Sequence, residues 1–185
     1  MTKVDQLIAC YEKFVSLPWD KNLAGKQRTW FLVYDKNDER RVRARIEELD
    51  QITRKAKHGF VTCDLTSFPA QWLVQQDYLE TYFQEPEEIG SLVPEMKKAV
   101  VAAVREALQS PDADDNTVVA VIGGAALFGF LRLSEIVEEV AADTRGRLLV
   151  FFPGEREGNN YRLLDAREGW NYLAIPITSS CGDLV

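Results

Sequence analysis

The stretch "TVVAVIGG", residues 117–124, is a continuous apolar run that follows a turn-rich segment and ends in two glycines. Such a run predicts a strand buried on both faces, as in parallel sheets. Similar runs occupy 29–35, 60–66 and 147–154, and helical patterns separate all four of them. Crossover helices of this kind predict four mutually parallel strands with right-handed connections.

Apolar residues at helical spacing predict a first helix over 4–17, with Thr2 as its N-cap, and another over 94–109. One further apolar stripe predicts a single helix that ends near Gly59. The residues of this stripe are Val42, Ile46, Leu49, Ile52 and Ala56. Ser134 is the expected N-cap of a helix over 135–142.

These elements predict an α/β layered domain with a mostly parallel sheet of about five strands flanked by helices. The element order resembles that of a P-loop or Rossmann domain without the Walker motifs, a comparison that rests on order alone. A fifth strand is expected within 172–177, where Pro176 indicates an edge position. Residues 1–177 should form this single domain, and 178–185 a polar tail.

The chain has 185 residues and a net charge of −7, which argues against non-specific duplex DNA binding by its whole surface. It contains no apolar window near the roughly 18 residues of a membrane helix. Its N-terminal segment carries acidic residues and is unlike a signal peptide. A cytoplasmic location is therefore expected.

The cysteines are odd in number and widely spaced, which argues against a disulfide framework and a CxxC metal site. Cys10 and Cys63 lie in apolar surroundings and are expected as buried thiols. Cys181 lies in the polar tail, where exposure is expected.

The sequence offers little catalytic chemistry. His58 is its one histidine, and its place at a helix end favours a contact with the helix dipole, or solvation, over catalysis. The chain contains neither GxxxxGK[ST] nor GxGxxG. We therefore assign no catalytic, cofactor-binding or metal-binding residue, and we expect a protein that is not an enzyme and uses no cofactor.

Ligands in open α/β sheets bind outside the carboxyl ends of the strands. The predicted groups there are Asp35, Asp64, Gly123, Gly124 and Arg132. They could hold a nucleotide, although helix capping by Asp35 and inward packing of the apolar loop are the favoured alternatives.

Two loops carry residues suited to protein contacts, one after the third strand and one after the fourth. The candidate partner-binding residues are Leu127, Phe128, Phe130, Arg132, Pro153, Glu155, Asn160, Tyr161 and Arg162. The acidic helices within 77–115 are a further candidate surface. An arginine cluster could contact nucleic-acid phosphates, or form a solvated helix surface. Its members are Arg40, Arg41, Arg43 and Arg45.

Three segments resemble, in order, the signatures of the BrxB family of bacteriophage exclusion (BREX) defence systems. They are "LPWDKNLAGKQRTWFLVYD" (17–35), "VVAVIGGAALFGFLRLSEIVEEV" (118–140) and "RLLVFFPGEREGNNYRLLDAREGWNYLAIPI" (147–177). The matching motif positions are Pro18, Trp19, Lys21, Gly123, Phe128, Pro153, Gly154, Asn160, Tyr161, Arg162, Asp165, Trp170 and Tyr172.

The resemblance implies a small cytoplasmic protein encoded beside a methyltransferase, a large ATPase and the alkaline-phosphatase-like protein PglZ. It also implies a role in phage restriction through protein contacts, with PglZ as the favoured partner, and it supplies no catalytic residues. Three hypotheses follow. They are a non-catalytic BREX adaptor that binds PglZ and possibly other BREX subunits, a nucleotide-binding regulator or degenerate NTPase-like enzyme, and a nucleic-acid-binding subunit that uses the arginine cluster with Arg54, Lys55 and Lys57.

Overall fold

The computed structural model describes residues 1–181 and has an α/β architecture with a mixed sheet flanked by helices. The strands are β1 (Thr29–Tyr34), β2 (Gly59–Asp64), β3 (Thr117–Ile122), β4 (Arg147–Glu157), β5 (Asn160–Leu163), β6 (Trp170–Asn171) and β7 (Ile175–Ile177). The order β2-β3-β4-β1-β7 is parallel throughout, while β5 pairs antiparallel with β4 and β6 with β5. The predicted fold class is confirmed, including Pro176 in an edge strand.

Helices cover both faces of the parallel sheet. They are α1 (Lys3–Val15), α2 (Glu39–Arg43), α3 (Ile46–Lys55), α4 (Phe68–Leu73), α5 (Leu79–Gln84), α6 (Val93–Gln109) and α7 (Leu133–Val140). Successive side chains of β1 alternate between the two faces. Trp30 and Leu32 therefore pack with α1 and α3, while Phe31 packs in the core under α6 and α7. β1 and β3 are buried along their whole length, as their apolar runs predicted.

Of the two predicted helix N-caps, Thr2 is confirmed and Ser134 is not. Thr2 is the N-cap of α1, because its hydroxyl accepts the Asp5 amide at 3.1 Å while the Asp5 carboxylate accepts the Thr2 amide at 2.8 Å. The prediction for Ser134 is wrong. α7 begins at Leu133, whose side chain is buried, and Ser134 lies inside the helix.

The single helix predicted from the stripe at 42–56 is in fact two helices, α2 and α3. At the break the Arg45 amide donates to the Val42 carbonyl at 3.0 Å, so the chain tightens into an i→i−3 turn before α3. α3 ends at Lys55, before the predicted Gly59, and Lys57 then adopts a φ of +65°.

The disulfide prediction is wrong, because Cys10 and Cys181 form a disulfide whose Cα atoms lie 5.4 Å apart. β7 runs beside β1 toward α1, so the chain after it returns to the first helix, a proximity that spacing along the sequence cannot reveal. Cys181, within the polar tail predicted over 178–185, is thus bonded to α1, and 182–185 lie outside the described residues. Cys63 keeps its thiol, and burial raises the pKa of that thiol to about 11.

The segment before β1 closes the amino edge of the sheet, where the parallel strands begin. Trp19 stacks on His58 with ring centroids 3.7 Å apart, and the Arg147 guanidinium lies 4.7 Å from the Trp19 ring. His58 Nδ1 is 2.6 Å from the side-chain oxygen of Asn116. His58 is therefore packed into this edge, contrary to the solvated or dipole-facing position predicted from sequence.

Candidate functional site

The carboxyl edge of the sheet, where the parallel strands end, carries a wall that separates two cavities. β4 continues beyond its pairing with β1, which ends at Pro153, and turns back antiparallel as β5. Side chains of the wall alternate between its two sides. Glu155 and Arg162 face one cavity, and Tyr161 faces the other.

The first cavity, here called the groove, has a volume of about 850 Å³ and lies between the loop 128–134 and the wall. Five aromatic side chains and two arginines belong to its lining. The aromatic residues are Phe128, Phe130, Phe152, Tyr161 and Trp170, and the arginines are Arg132 and Arg167. Large apolar cavities with a few convergent polar groups are the usual form of binding sites.

The groove floor is fixed by aromatic packing and by hydrogen bonds. Tyr161 meets Phe31 edge-on with ring centroids 4.7 Å apart, and its hydroxyl donates to the Ala174 carbonyl at 3.1 Å. Trp170 donates its indole N–H to Glu138 at 3.3 Å. The floor is therefore preorganised, which lowers the entropic cost of binding.

The mouth of the groove presents an apolar side chain to solvent. Phe128 is 48% exposed, whereas its neighbour Leu127 is fully buried. Gly129 follows with a φ of +90°, a conformation that L side chains rarely adopt, and it turns the loop outward. The loop thus anchors itself through Leu127 and displays Phe128.

The structure divides the sequence-predicted partner residues into three groups. Phe128, Phe130 and Arg132 lie together at the groove, as solvent-accessible side chains. Glu155, Asn160 and Arg162 are accessible on the opposite side of the wall. Leu127, Pro153 and Tyr161 are buried in the isolated chain, and of these three Tyr161 lines the groove floor.

The second cavity, here called the cleft, has a volume of about 670 Å³ and lies at the carboxyl ends of β1, β4 and β7. Its lining is strongly charged. It includes Lys3, Asp35, Glu155, Arg156, Arg162 and Arg167. Residues Thr178, Ser179 and Ser180 form another part of the lining and lead directly to the Cys181 disulfide. This is the position at which open α/β sheets bind ligands.

The strand-end carboxylates are occupied by local contacts. Asp35 accepts the Asn37 backbone and side-chain amides at 2.8 Å, and the backbone bond leads in lowering the pKa of Asp35. This is the local capping role that the sequence favoured. Burial raises the pKa of Asp64, but hydrogen bonds from Thr66 and the charge of Arg43 outweigh it, so the net shift is downward. Both groups are held as anions.

The glycines after β3 serve packing. Gly123 has a φ of +73°, and a Cβ atom there would lie 2.3 Å from the Thr66 hydroxyl. A Cβ atom on Gly124 would lie 3.1 Å from the Leu133 side chain. Both glycines therefore permit close approach of neighbouring elements, and the space beside them is filled by protein.

Three members of the arginine cluster form ion pairs. Arg41 meets Asp38 at 3.0 Å, Arg43 meets Asp64 at 3.1 Å, and Arg45 meets Asp5 at 2.9 Å. Arg45 also pairs with Glu48. Most of the positive charge is thus neutralised within the fold, which weakens the electrostatic attraction that phosphate contacts need.

Within residues 1–181, no group of three or more His, Cys, Asp or Glu side chains could hold a metal ion, and no helix is long and apolar enough to cross a membrane. A scan of protein-family models, a search of curated proteins and a search of solved structures each find no match to this chain.

The sequence predicts a candidate ligand site at this edge and includes Asp35 of the cleft lining, but it does not predict the two-sided wall or the part of the lining that Lys3 and Arg167 supply. Lys3 and Arg167 line the cleft from opposite ends of the described chain, and no motif links them. The alternation along β4 and β5 was the available signal. Alternation along β5 places Asn160 and Arg162 on one side of the wall and Tyr161 and Leu163 on the other.

Proposed function

We propose that this protein is a non-catalytic, cytoplasmic adaptor of a BREX antiphage system that binds the PglZ-type component through the groove. The observation that carries the proposal is the pairing of a rigid aromatic floor with the exposed Phe128 at the mouth. Aromatic anchors that fill preformed pockets dominate the energy of protein interfaces. The BrxB resemblance covers both sides of the groove and supplies the identity of the partner.

The groove suits a protein partner better than a reacting substrate. Its aromatic residues offer contact area, and Tyr161 and Trp170 already use their polar atoms within the fold. Arg132 at the rim is exposed and can select a partner by charge. An apolar side chain from PglZ that enters beside Phe128 would bury the apolar surface of Phe128 that is now exposed to solvent.

The test is co-elution of this protein with the PglZ-type protein of the same locus in size-exclusion chromatography. Phe128→Glu should weaken the complex at least tenfold, the scale expected of a central anchor. Leu17→Glu is the matched control, because Leu17 is 51% exposed but lies near the amino edge. A wild-type mixture without a mass shift, or equal losses in both variants, would contradict the proposal.

A second candidate function is a small-molecule sensor, and the cleft is the observation that favours it. Its place at the carboxyl ends of β1 and β4, and its basic side chains, suit a nucleotide. A thermal-shift panel of ATP, GTP and dinucleotides with Mg²⁺ tests this, because a ligand at about 100 times its Kd stabilises by about 2.7 kcal/mol. Lys3→Glu should abolish any shift that the cleft produces, because Lys3 lines the cleft and not the groove, and a panel without shifts removes this candidate.

A further inference from the structure

One region of the molecule is acidic and contains no basic side chain. We call residues 71–95 the acidic lobe. It comprises the end of α4, α5, the 3-10 helix Pro86–Leu92 and the start of α6. The chain has no lysine or arginine between Lys57 and Lys97. The carboxylates of the lobe are Asp77, Glu80, Glu85, Glu87, Glu88 and Glu95.

These carboxylates are poorly neutralised. Glu95 pairs with Lys98 at 2.8 Å, while the other five form no ion pair with any residue in 1–181. The arginine cluster, by contrast, is largely neutralised by acids of its own neighbourhood. The lobe therefore projects a negative field that the fold leaves uncompensated.

The lobe also exposes apolar surface. None of its residues is fully buried, and three of its apolar side chains point largely into solvent. Val74 is 60% exposed, Tyr78 80% and Phe83 72%. Exposed apolar surface rimmed by charge is typical of contact sites, and these three side chains belong to one ten-residue segment, 74–83.

The backbone holds one of these side chains in an unusual conformation. Tyr78 has a φ of +65°, in the left-handed region that bulky residues rarely occupy. The side chain that results is the most exposed of the three. Its hydroxyl and ring are thus presented outward just before α5 begins.

We propose that the acidic lobe docks a cationic amphipathic segment of a protein partner. Basic side chains of that segment would meet the five uncompensated carboxylates, and its apolar side would cover Val74, Tyr78 and Phe83. Charge complementarity selects this occupant. Nucleic acid and anionic membranes carry the same sign as the lobe, and so does the lobe of a second copy of this chain.

This surface is separate from the groove, because the two share no lining residue. α4 nevertheless packs against the turn Gly124–Leu127, which leads into the groove loop. The lobe thus adds a second contact surface to the proposed adaptor. The proposal does not depend on PglZ, since it rests on the charge and exposure of the lobe alone.

The experiment uses the whole chain and a fluorescent peptide of about 18 residues, made of leucine and lysine with leucine at helical spacing. A scrambled peptide of equal charge and a glutamate-for-lysine version are the comparison probes. The leucine–lysine peptide should bind at least tenfold more tightly than the scrambled one, with affinity falling as salt rises. The glutamate version should not bind.

Variants locate the binding. Glu87→Lys with Glu88→Lys should lower the affinity about tenfold and flatten the salt dependence. Val74→Ser with Phe83→Ser should lower it about tenfold at unchanged salt dependence, because these side chains are exposed and contribute contact area. The matched control, Glu47→Lys with Asp112→Lys, reverses two exposed acids outside the lobe and should leave affinity unchanged.

Equal binding of the scrambled peptide would overturn the proposal, because it would show charge attraction without a docking surface. An equal loss in the control variant would overturn it as well. Phe128→Glu should bind the peptide normally, so failure of the groove hypothesis and failure of this one give different results.

Discussion

The two edges of the parallel sheet are built from different chemistry. At the amino edge, arginines bond to backbone carbonyls. Arg28 donates to the carbonyls of Leu23 at 2.8 Å and Lys21 at 3.0 Å, and Arg147 to that of Asp20 at 2.9 Å. At the carboxyl edge, exposed side chains line the groove and the cleft. A backbone carbonyl cannot leave its position without unfolding its segment, so the amino edge is locked while the carboxyl edge stays open for contacts.

Reduction of the disulfide is expected to have the largest effect, because it frees the chain after β7 from α1. Cys10 and Cys181 are 171 residues apart, so their bond restricts nearly the whole unfolded chain. We expect reduction by dithiothreitol to lower the free energy of unfolding by about 5 kcal/mol, as the loop-entropy model gives for a loop of this length. Urea unfolding with and without the reductant measures it.

Cys63→Ser is the control, because Cys63 is the thiol that stays unpaired and its loss should not change the response to reductant. The proposed cytoplasmic location adds a question, since cytosolic thiols are normally kept reduced. Alkylation of the native protein followed by mass spectrometry decides the resting state. Identical unfolding curves under both conditions would mean that the bond contributes no stability.

Arg147→Ala tests the lock at the amino edge. The Arg147 side chain is buried, covers Trp19 and donates to the Asp20 carbonyl, so truncation leaves a cavity and an unpaired carbonyl. We expect the free energy of unfolding to fall by about 3 kcal/mol. Peptide and partner binding measured below the unfolding transition should be unchanged.

Arg145→Ala is the matched comparison for Arg147. Arg145 also donates to backbone carbonyls, those of Leu108 and Ser110, but it is exposed, so its loss should cost about 1 kcal/mol. An equal loss of unfolding free energy in the two variants would mean that burial of Arg147 adds nothing to the stability of the amino edge. The chevron arms of each variant would show whether the edge forms before or after the main folding barrier.

The core of the fold could be predicted because β1 and β3, and β4 as far as Gly154, are continuously buried. Six consecutive apolar or β-branched residues at 117–122 predict a strand buried on both faces, and all six residues are buried in β3. The sites could not be predicted in the same way. Trp19, His58 and Arg147 come from three separate segments, and only the assembled sheet brings them together.

Leu127 and Phe128 show the same limit within two adjacent residues. Both are large, apolar and part of one loop, and the sequence predicts partner contact for both. Leu127 is buried and Phe128 is exposed because the short 3-10 turn at Gly124–Leu127 directs the two side chains differently. That direction is set by packing against the rest of the core, and periodicity over four residues does not specify it.

Substitution of these two residues tests which side chains of the carboxyl edge serve stability and which serve binding. Leu127→Ala should lower the free energy of unfolding by about 3 kcal/mol, because Leu127 is fully buried in the core. Phe128→Ala should change it by less than about 0.5 kcal/mol, since its ring is half exposed. Binding should reverse the order, with Phe128→Ala the more damaging variant at temperatures where both are folded. A stability loss at Phe128 equal to that at Leu127 would make its ring part of the core.

The smallest expected effect concerns acid stability at the carboxyl edge, where α1 begins. The bond from Arg45 leads in lowering the pKa of Asp5, and bonds from Thr2 add to it. A carboxyl whose folded pKa is lowered stabilises the fold above its unfolded value, near 4, and this contribution disappears as pH falls through the folded value. Asp5→Asn keeps an oxygen that can accept the Thr2 amide but removes the charge that Arg45 meets.

The urea midpoint of Asp5→Asn should therefore lie slightly below that of the wild type at pH about 7, and the difference should shrink as pH falls below about 4. Asp77→Asn is the control, because Asp77 forms no ion pair with any residue in 1–181, and its midpoint should follow the wild type throughout. Parallel curves for Asp5→Asn at every pH would mean that Arg45 finds equal compensation from Glu48 alone. The ion pair between Asp5 and Arg45 would then orient α1 relative to α3 without adding to the free energy of unfolding, which is the ordinary result for an exposed ion pair.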